Sequence, residues 1–600
     1  MAVHPFRHYF LSLLQVLPVM LWYLPLLFST GIPSTFAAQL QPSHQPNLYF
    51  NPILPGWHPD PSCIQNRGLF FCVTSTFQAF PGLPVYISAN LIEWKLASHA
   101  WNRDSQLPGL SWNTTGQANG MYAPTIRYRN GVYYVIVAYV RGDSRLGLLF
   151  KTTDPFDNAS WEVPISIDLK DIDPDLFWDD DGKAYVATAG VSLQELDLES
   201  GSLGEAIPIW NGTGGAWPEG PHLYKKDGWY YLLIAEGGTS EKHSITIARA
   251  KTIQGPYTSN PSNPILTNRG TDEYFQSVGH GDLFQDAAGN WWGFCLAIRS
   301  GPAYAFMPMG REAVLFNATW SEEGWPVLQP VRGRMAGNSL PSSPLTVLGN
   351  GPAVDGNDRI TFRDGVPVPP HFIHHRVPPP GTFVATKNGL YIQARRANLT
   401  GDQMSSDVEL TGQHGLSFIG RRQSHTLFRF AVDLALRLRT DGQEAGISIF
   451  RSQNEHIDLS IIRRLNQTSN SSCGDLLFRL SGISPSTTIE ERLVSVPKAW
   501  KNQPIRFEVE AYNASDYTFS VSQLDNARAR IVIGKISSGA VSGRGGIGFF
   551  LGSMVGAFAT CNGRGSGNKC KEGSEVFIQR WVYEGIGQEI ANGEVIPTKD

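Results

Sequence analysis

Short apolar runs rich in β-branched and aromatic residues recur along the whole chain, separated by Gly, Pro, Asn and Asp, while a sustained 3.6-residue spacing is almost absent. This pattern predicts a nearly all-β protein. A loose repeat overlies it: a Pro-containing lead-in, a strand ending in an apolar or aromatic residue, an Asp/Asn-Gly turn, then an aromatic strand. It runs through His58-Pro59-Asp60-Pro61 with Leu69-Phe70-Phe71, and through Ala123-Pro124-Thr125-Ile126 with Asn130-Gly131-Val132-Tyr133-Tyr134. It returns at Asp173-Pro174-Asp175-Leu176-Phe177 with Asp181-Gly182, at Glu219-Gly220-Pro221-His222 with Asp227-Gly228-Trp229, and at His280-Gly281-Asp282-Leu283-Phe284 with Gly289-Asn290-Trp291. Copies about fifty to sixty residues long fit one four-stranded blade each, which predicts a five-bladed β-propeller over residues 48–345.

In a propeller the equivalent lead-ins converge on the central axis. Three of them carry a carboxylate: Asp60, Asp173 and Glu219. One Asp beside a Pro reads as a turn residue. Three acids at matching places predict a buried cluster in which burial and mutual repulsion drive the pKa values apart, as acid–base chemistry requires.

At 600 residues the chain exceeds what one core supports, which calls for at least two domains. A Gly- and Pro-rich passage at about residues 349–380 marks the boundary, and short alternating strands such as Leu427-Phe428-Arg429-Phe430-Ala431-Val432 predict a β-sandwich over 355–592. A net charge of -4 leaves no basic face for nucleic acid or an anionic membrane.

Residues 1–37 read as a secretory signal: Arg7 and His8, an apolar stretch over 10–28, then the small-residue segment ending at Ala37 and Ala38. The apolar stretch is long enough to cross a bilayer, but Gln15, Pro18 and Pro25 within it favour cleavage, leaving no membrane segment and a secreted, extracellular protein. Eight Asn-x-Ser/Thr sequons (Asn113, Asn158, Asn211, Asn317, Asn398, Asn466, Asn470 and Asn513) suit a glycoprotein made in a secretory pathway. Cys63 and Cys72 flank a turn between two strand-like runs, and Cys561 and Cys570 flank a Gly/Asn-rich loop, so both pairs are expected to be disulfides. Cys295 reads as a buried thiol, and Cys473 is left unassigned. No Cys/His set has zinc-site spacing.

The stretch Asn51-Pro52-Ile53-Leu54-Pro55-Gly56-Trp57-His58-Pro59-Asp60-Pro61-Ser62 resembles the opening motif of glycoside hydrolase family 43, whose members are inverting enzymes built on five-bladed propellers. The resemblance implies that Asp60 is the general base, that Asp173 in Ile172-Asp173-Pro174-Asp175 orients the acid and sets its pKa, and that Glu219 in Trp217-Pro218-Glu219-Gly220-Pro221 is the general acid. Asp175 is the rival to Asp173 should the register differ. Thr74-Ser75-Thr76-Phe77 with Phe80-Pro81-Gly82, Ala235-Glu236-Gly237-Gly238-Thr239, and Met309-Gly310-Arg311-Glu312 resemble the β-xylosidase and α-L-arabinofuranosidase branch. There they imply a sugar pocket walled by the Phe77 and Phe80 segment, with Arg311 reaching sugar hydroxyls; Trp57, Phe77, Phe80, Tyr122 and Trp217 read either as sugar-stacking walls or as plain core, and Tyr122 stands where the branch carries Trp. His280 opens the fifth copy, where relatives place an axial His beside calcium or a water cluster; a satisfied core histidine is the other reading. No cofactor is required, and any calcium would be structural.

Gly420-Arg421-Arg422-Gln423-Ser424-His425-Thr426 and Gly442-Gln443-Glu444-Ala445-Gly446-Ile447 resemble the concanavalin-A-like C-terminal domain of such β-xylosidases, in which a sandwich loop leans over the funnel and favours attack at chain ends. The substrate expected is a pentose-containing oligosaccharide or polysaccharide, releasing β-D-xylosyl or α-L-arabinofuranosyl units. An arabinan- or galactan-directed enzyme of the same family and a non-catalytic carbohydrate-binding propeller are the alternatives, and the oligomeric state stays open.

Overall fold

Two-residue turns organise the N-terminal half. Arg67-Gly68, Asn130-Gly131 and Asp227-Gly228 all have both residues at positive φ, with values of 51 and 81, 51 and 89, and 51 and 70 degrees. That is the type I′ geometry whose twist matches paired strands. The turn at Arg67-Gly68 sets Cys63 opposite Cys72, and the two form a disulfide.

The structure, a computed structural model, describes residues 47–342, 345, 347–349, 351–465, 475–524, 526–543, 549–566, 570 and 573–598. The expected signal segment, Asn466, Asn470 and Cys473 lie outside them. Among the described residues the architecture is all-β, and the two α-helices, Leu110–Asn113 and Val408–Thr411, are single turns. No helix there is long and apolar enough to cross a membrane.

Residues 62–328 form five four-stranded antiparallel sheets, each laid down in chain order apart from short extra strands. Their first strands are β1 (Ser62–Asn66), β2 (Gly120–Arg129), β3 (Asp175–Trp178), β4 (Glu219–Lys226) and β5 (Phe275–Gln285). β1 touches β2, β2 touches β3, β3 touches β4, β4 touches β5, and β5 returns to β1. The strand Leu48–Phe50 pairs with Arg334–Ala336, tying the start of this half to its end.

From Asp358 onward a nine-stranded and a six-stranded sheet enclose a core that includes Phe430, Val432, Ile447, Ile449 and Trp581. Cys561 and Cys570 are bridged, and Cys295 is a free, buried thiol. A smaller apolar cluster joins both halves: Trp57, Phe77 and Ala79 pack with Ile373, Phe418, Phe450, Leu551 and Met554.

Candidate active site

Each of the five first strands is preceded or interrupted by a residue in the left-handed region: Asp60 at φ 53, Ala123 at 41, Asp173 at 59, Gly220 at 56 and His280 at 49 degrees. For a residue with a Cβ this conformation is strained, and such strain persists where surrounding contacts over-determine it. The following Pro or Gly brings the chain back to extended geometry, so every lead-in kinks at the same place. Register shifts in β2, β4 and β5 fall at these kinks. Gly220, not Glu219, holds the equivalent position on the fourth sheet. A Cβ there would stand 3.0 Å from the His280 ring. Glu219 therefore sits one residue before the place the repeat gives to Asp60 and Asp173.

Asp60 is buried. Arg311 donates to its Oδ1 at 2.7 Å, Ser75 Oγ donates to Oδ2 at 2.6 Å, and His280 Nδ1 lies 3.9 Å away. Burial pushes its pKa up, but Arg311, His280 and Ser75 together outweigh burial and hold the carboxyl below its usual value. Burial lowers His280 to about 4, which leaves a neutral imidazole beside Asp60 at neutral pH. Ser75 also accepts from the Ala123 amide at 2.7 Å, fixing the first lead-in to the second.

The other two acids move the opposite way. Glu219 is raised to about 7, first by burial, with Arg311 opposing and Asp60 and Asp171 adding to the rise. Asp173 is raised well above the normal range by burial, then by Glu219 and Asp60, although Gly220 N donates to its Oδ2 at 3.1 Å. The sequence reading has the charge of Asp173 lifting Glu219. In the structure burial comes first, and the two acids repel each other so that the pair retains a proton near neutrality.

Asp175 is set apart from this pair. It lies 2.5 Å from Arg127, accepts from Leu223 N at 2.9 Å, and approaches His222 Nδ1 at 3.2 Å. Arg127 also pairs with Asp282 at 3.0 Å, and Ser62 Oγ donates to Asp282 at 2.7 Å. Ser62, Asp175, His222 and Asp282 stand two positions beyond the kinks, and with Arg127 they form an ion-paired layer that binds the first strands together. In this layer Asp175 is held ionised: burial raises its pKa, but Arg127 and His222 together outweigh burial and hold it below its usual value. Asp173 is the member that faces Glu219.

The expected aromatic wall divides. Trp217 is 74% exposed, at φ 54 just before Pro218 and Glu219, and is free to stack on a ligand. Tyr122 is half-buried, donates to Ala118 O at 2.7 Å, and feels Arg311, Asp60 and Asp173 electrostatically. Phe77 is 0% exposed and lies beneath the site, stacked on Trp57 at 6.0 Å and edge-on to Tyr122 at 4.8 Å. It supports the wall but offers no face to a ligand. Phe80 packs on Trp101 at 5.1 Å, and its strand pairs with His374–His375, away from the acids.

Three contributors carry no role in the sequence reading. Ser75 belongs to a quoted motif without an assigned part. Glu236 is buried behind the loop that carries Trp217. Phe550, from the sandwich, lies 4.7 Å from the Arg311 guanidinium and meets Phe77 at 6.0 Å and Tyr122 at 6.3 Å. Its carbonyl accepts from Trp57 Nε1 at 3.0 Å. Nothing local in the sequence around Phe550 signals these contacts.

Calcium needs about six to eight oxygen ligands. Around His280 the described residues give one carboxylate already bound to Arg311 and Ser75, the imidazoles of His222 and His243, and the packed Gly220 backbone. No group of three or more His, Cys, Asp or Glu among the described residues has metal-holding geometry. A structural calcium here would take most of its ligands from water.

The arrangement therefore offers one carboxylate held ionised and a second carboxyl held protonated, beneath an exposed Trp. The family model "Glycosyl hydrolases family 43" matches residues 49–326, and the model of the β-xylosidase C-terminal concanavalin-A-like domain matches 359–571. A xylosidase/arabinosidase of Butyrivibrio fibrisolvens is 32% identical over 87% of this chain and 97% of its own length. A non-reducing-end α-L-arabinofuranosidase of Bacteroides ovatus is 31% identical over 86% and 92%. The crystal structure of a xylan β-1,4-xylosidase from Bacillus halodurans superposes with a TM-score of 0.76 at 25% identity, covering 89% of this chain and 99% of that one. The chain is a glycosidase of glycoside hydrolase family 43 with a concanavalin-A-like C-terminal domain.

Proposed function

We propose that the protein is an exo-acting, inverting hydrolase that removes β-D-xylosyl or α-L-arabinofuranosyl units from xylan-type chains. Asp60 deprotonates the attacking water, Glu219 protonates the leaving oxygen, and Asp173 orients Glu219 and shares its proton. The observation that carries this reading is the opposite displacement of the two acids, Asp60 down and Glu219 up to about 7. Inversion needs the two groups about 6.5–9.5 Å apart so that a water fits between them. Lead-ins from the first and fourth sheets, which are not neighbours in the ring of contacts, suit that gap.

The cyclic contact of β1 to β5 supports reading the five sheets as blades of one propeller with the acids at its axis. Relatives named for both xylosidase and arabinosidase activity support the pentose assignment. Phe550 over Arg311 supports a short pocket closed on one side by the sandwich, which suits chain ends. Export, with removal of residues 1–37, and a reaction that uses no metal complete the proposal.

The test is hydrolysis of xylobiose and of the 4-nitrophenyl pentosides by Asp60→Ala and Glu219→Ala, with NMR of the first-formed anomer from the wild type. Loss of roughly 10³-fold or more on xylobiose for both variants, with the inverted anomer, is expected. Wild-type rates for Glu219→Ala on xylobiose, or the retained anomer, would overturn the mechanism.

A further inference from the structure

Glu236 is a carboxylate at 1% exposure with no cation against it, and every hydrogen bond it accepts serves one loop or its support. Its Oε1 accepts from Thr213 N at 2.8 Å and Gly215 N at 3.1 Å; its Oε2 accepts from Thr213 Oγ1 at 2.9 Å and Thr246 Oγ1 at 2.6 Å. Thr246 lies on the neighbouring strand Ser244–Ala250, and fixes the carboxylate from behind. Thr213 and Gly215 belong to the segment that runs through Trp217 into Glu219. Gly237 N, one residue on from Glu236, donates to Ala216 O at 2.7 Å, and Gly190 N donates to Pro218 O at 2.9 Å. The loop is thus pinned at residues 213, 215, 216 and 218, and most of the pins come from Glu236 or its neighbour.

Gly212 and Gly215 follow from this closeness. A Cβ on Gly212 would stand 2.4 Å from Glu236 Oε1, and one on Gly215 would stand 3.0 Å from Glu236 Cβ. No side chain larger than hydrogen fits where the loop wraps the carboxylate. Burying an acid without a cation is unfavourable unless several donors compensate. Four donors do so here, three of them from the loop that leads to Glu219 and the fourth, Thr246, from the strand behind it.

We infer that Glu236 is a positioning residue for the acid step: it acts through the 212–218 loop to hold Glu219 against the leaving oxygen and Trp217 against the sugar beyond the cleaved bond. This rests on the reading of Glu219 as the acid. A misplacement of about 1 Å in a catalytic group can cost roughly 10²-fold in rate. The demand for protonation grows as the leaving group becomes poorer, so a displaced acid harms poor leaving groups most.

The experiment compares Glu236→Ala, Glu236→Gln and Glu219→Ala on xylobiose and on a 2,4-dinitrophenyl pentoside, with circular dichroism and melting curves for each. Gln keeps an acceptor for Thr213 N and Gly215 N, and the two Thr hydroxyls can rotate to accept from its amide. Glu236→Ala is expected to lose about 10- to 100-fold in kcat on xylobiose and under about threefold on the activated glycoside, with Gln restoring most of the loss. Equal loss on both substrates in a folded Glu236→Ala protein would overturn the inference. If Glu219→Ala itself showed no dependence on leaving group, the acid assignment would be what failed.

Discussion

Burial raises the proton affinity of both Asp60 and Glu219, and their companions set the two apart. Asp60 has Arg311 and Ser75 on its two oxygens; Glu219 has desolvation and like charges. Activity is expected to require Asp60 ionised and the Glu219–Asp173 pair holding its proton. The kcat/KM profile should therefore be a bell whose alkaline limb lies near pH 7, and whose acid limb lies below the ordinary Asp range. Ser75→Ala removes a contact that lowers the Asp60 pKa, so its acid limb should move to higher pH while the alkaline limb stays. Stability carries the opposite sign at Glu219. A carboxyl raised from 4.5 to about 7 contributes stability that is fully present below pH 4.5 and is lost as pH climbs through 7. Glu219→Gln should accordingly raise the melting temperature at pH 8 and change it little at pH 4.5, as differential scanning calorimetry would read.

At the scale of single elements, the loop ending in Phe550 has the largest leverage for its size. Arg451 donates to Leu551 O at 3.0 and 2.8 Å and pairs with Glu455 at 2.7 Å, while Glu455 accepts from Gly543 N at 2.8 Å. One buried ion pair thus holds both Gly543 and Leu551, the neighbour of Phe550. Phe550→Ala removes the ring from Arg311, Tyr122 and Phe77 at once, and should cost roughly tenfold in kcat/KM, a loss of about 1.4 kcal/mol of transition-state binding. Steady-state rates on xylobiose would show it. The lead-ins were readable in sequence because each acid stands beside a Pro in a repeated local frame. Glu219 was misaligned by one residue because Gly220, needed at a kink against His280, reads in sequence as a plain glycine. The choice between Asp173 and Asp175 turns on Arg127, whose partners lie 48 and 155 residues away. Phe77 and Phe80 look alike in sequence as pocket walls, and only the cover supplied by Phe550 and by His374–His375 turns both inward.

For the whole molecule, the apolar cluster of Trp57, Phe77 and Ala79 with Ile373, Phe418, Phe450, Leu551 and Met554 makes the two halves one stability unit. Arg299 reinforces it, pairing with Glu312 at 2.6 Å and reaching Gln588 Oε1 at 2.8 Å and Glu589 O at 3.0 Å. Calorimetry should record a single transition, and a chain ending near residue 349 should aggregate, because it would expose that cluster. The sequons separate by the same packing logic. Asn317 donates to Tyr49 OH at 3.1 Å and to Gln329 Oε1 at 2.8 Å and accepts from Asn338 N at 2.7 Å, whereas Asn211 and Asn513 are exposed. Peptide mass spectrometry of protein secreted by a eukaryotic host should find glycans on Asn211 and Asn513 and none on Asn317.

The bond from Trp57 to Phe550 spans 493 residues, and this separation has a meaning during synthesis. A ribosome adding about 5–20 residues per second needs roughly 25–100 s to travel that far. For that interval Trp57 and Phe77 lack the cover of Phe550, and the acid site is already half assembled with its roof unmade. The nascent chain must keep this face out of contact with its neighbours until the last tenth of the message is read. Slowing translation late in the gene, or depriving the host of chaperones that shield apolar surface, should therefore lower the yield of active enzyme more than the same treatment applied early.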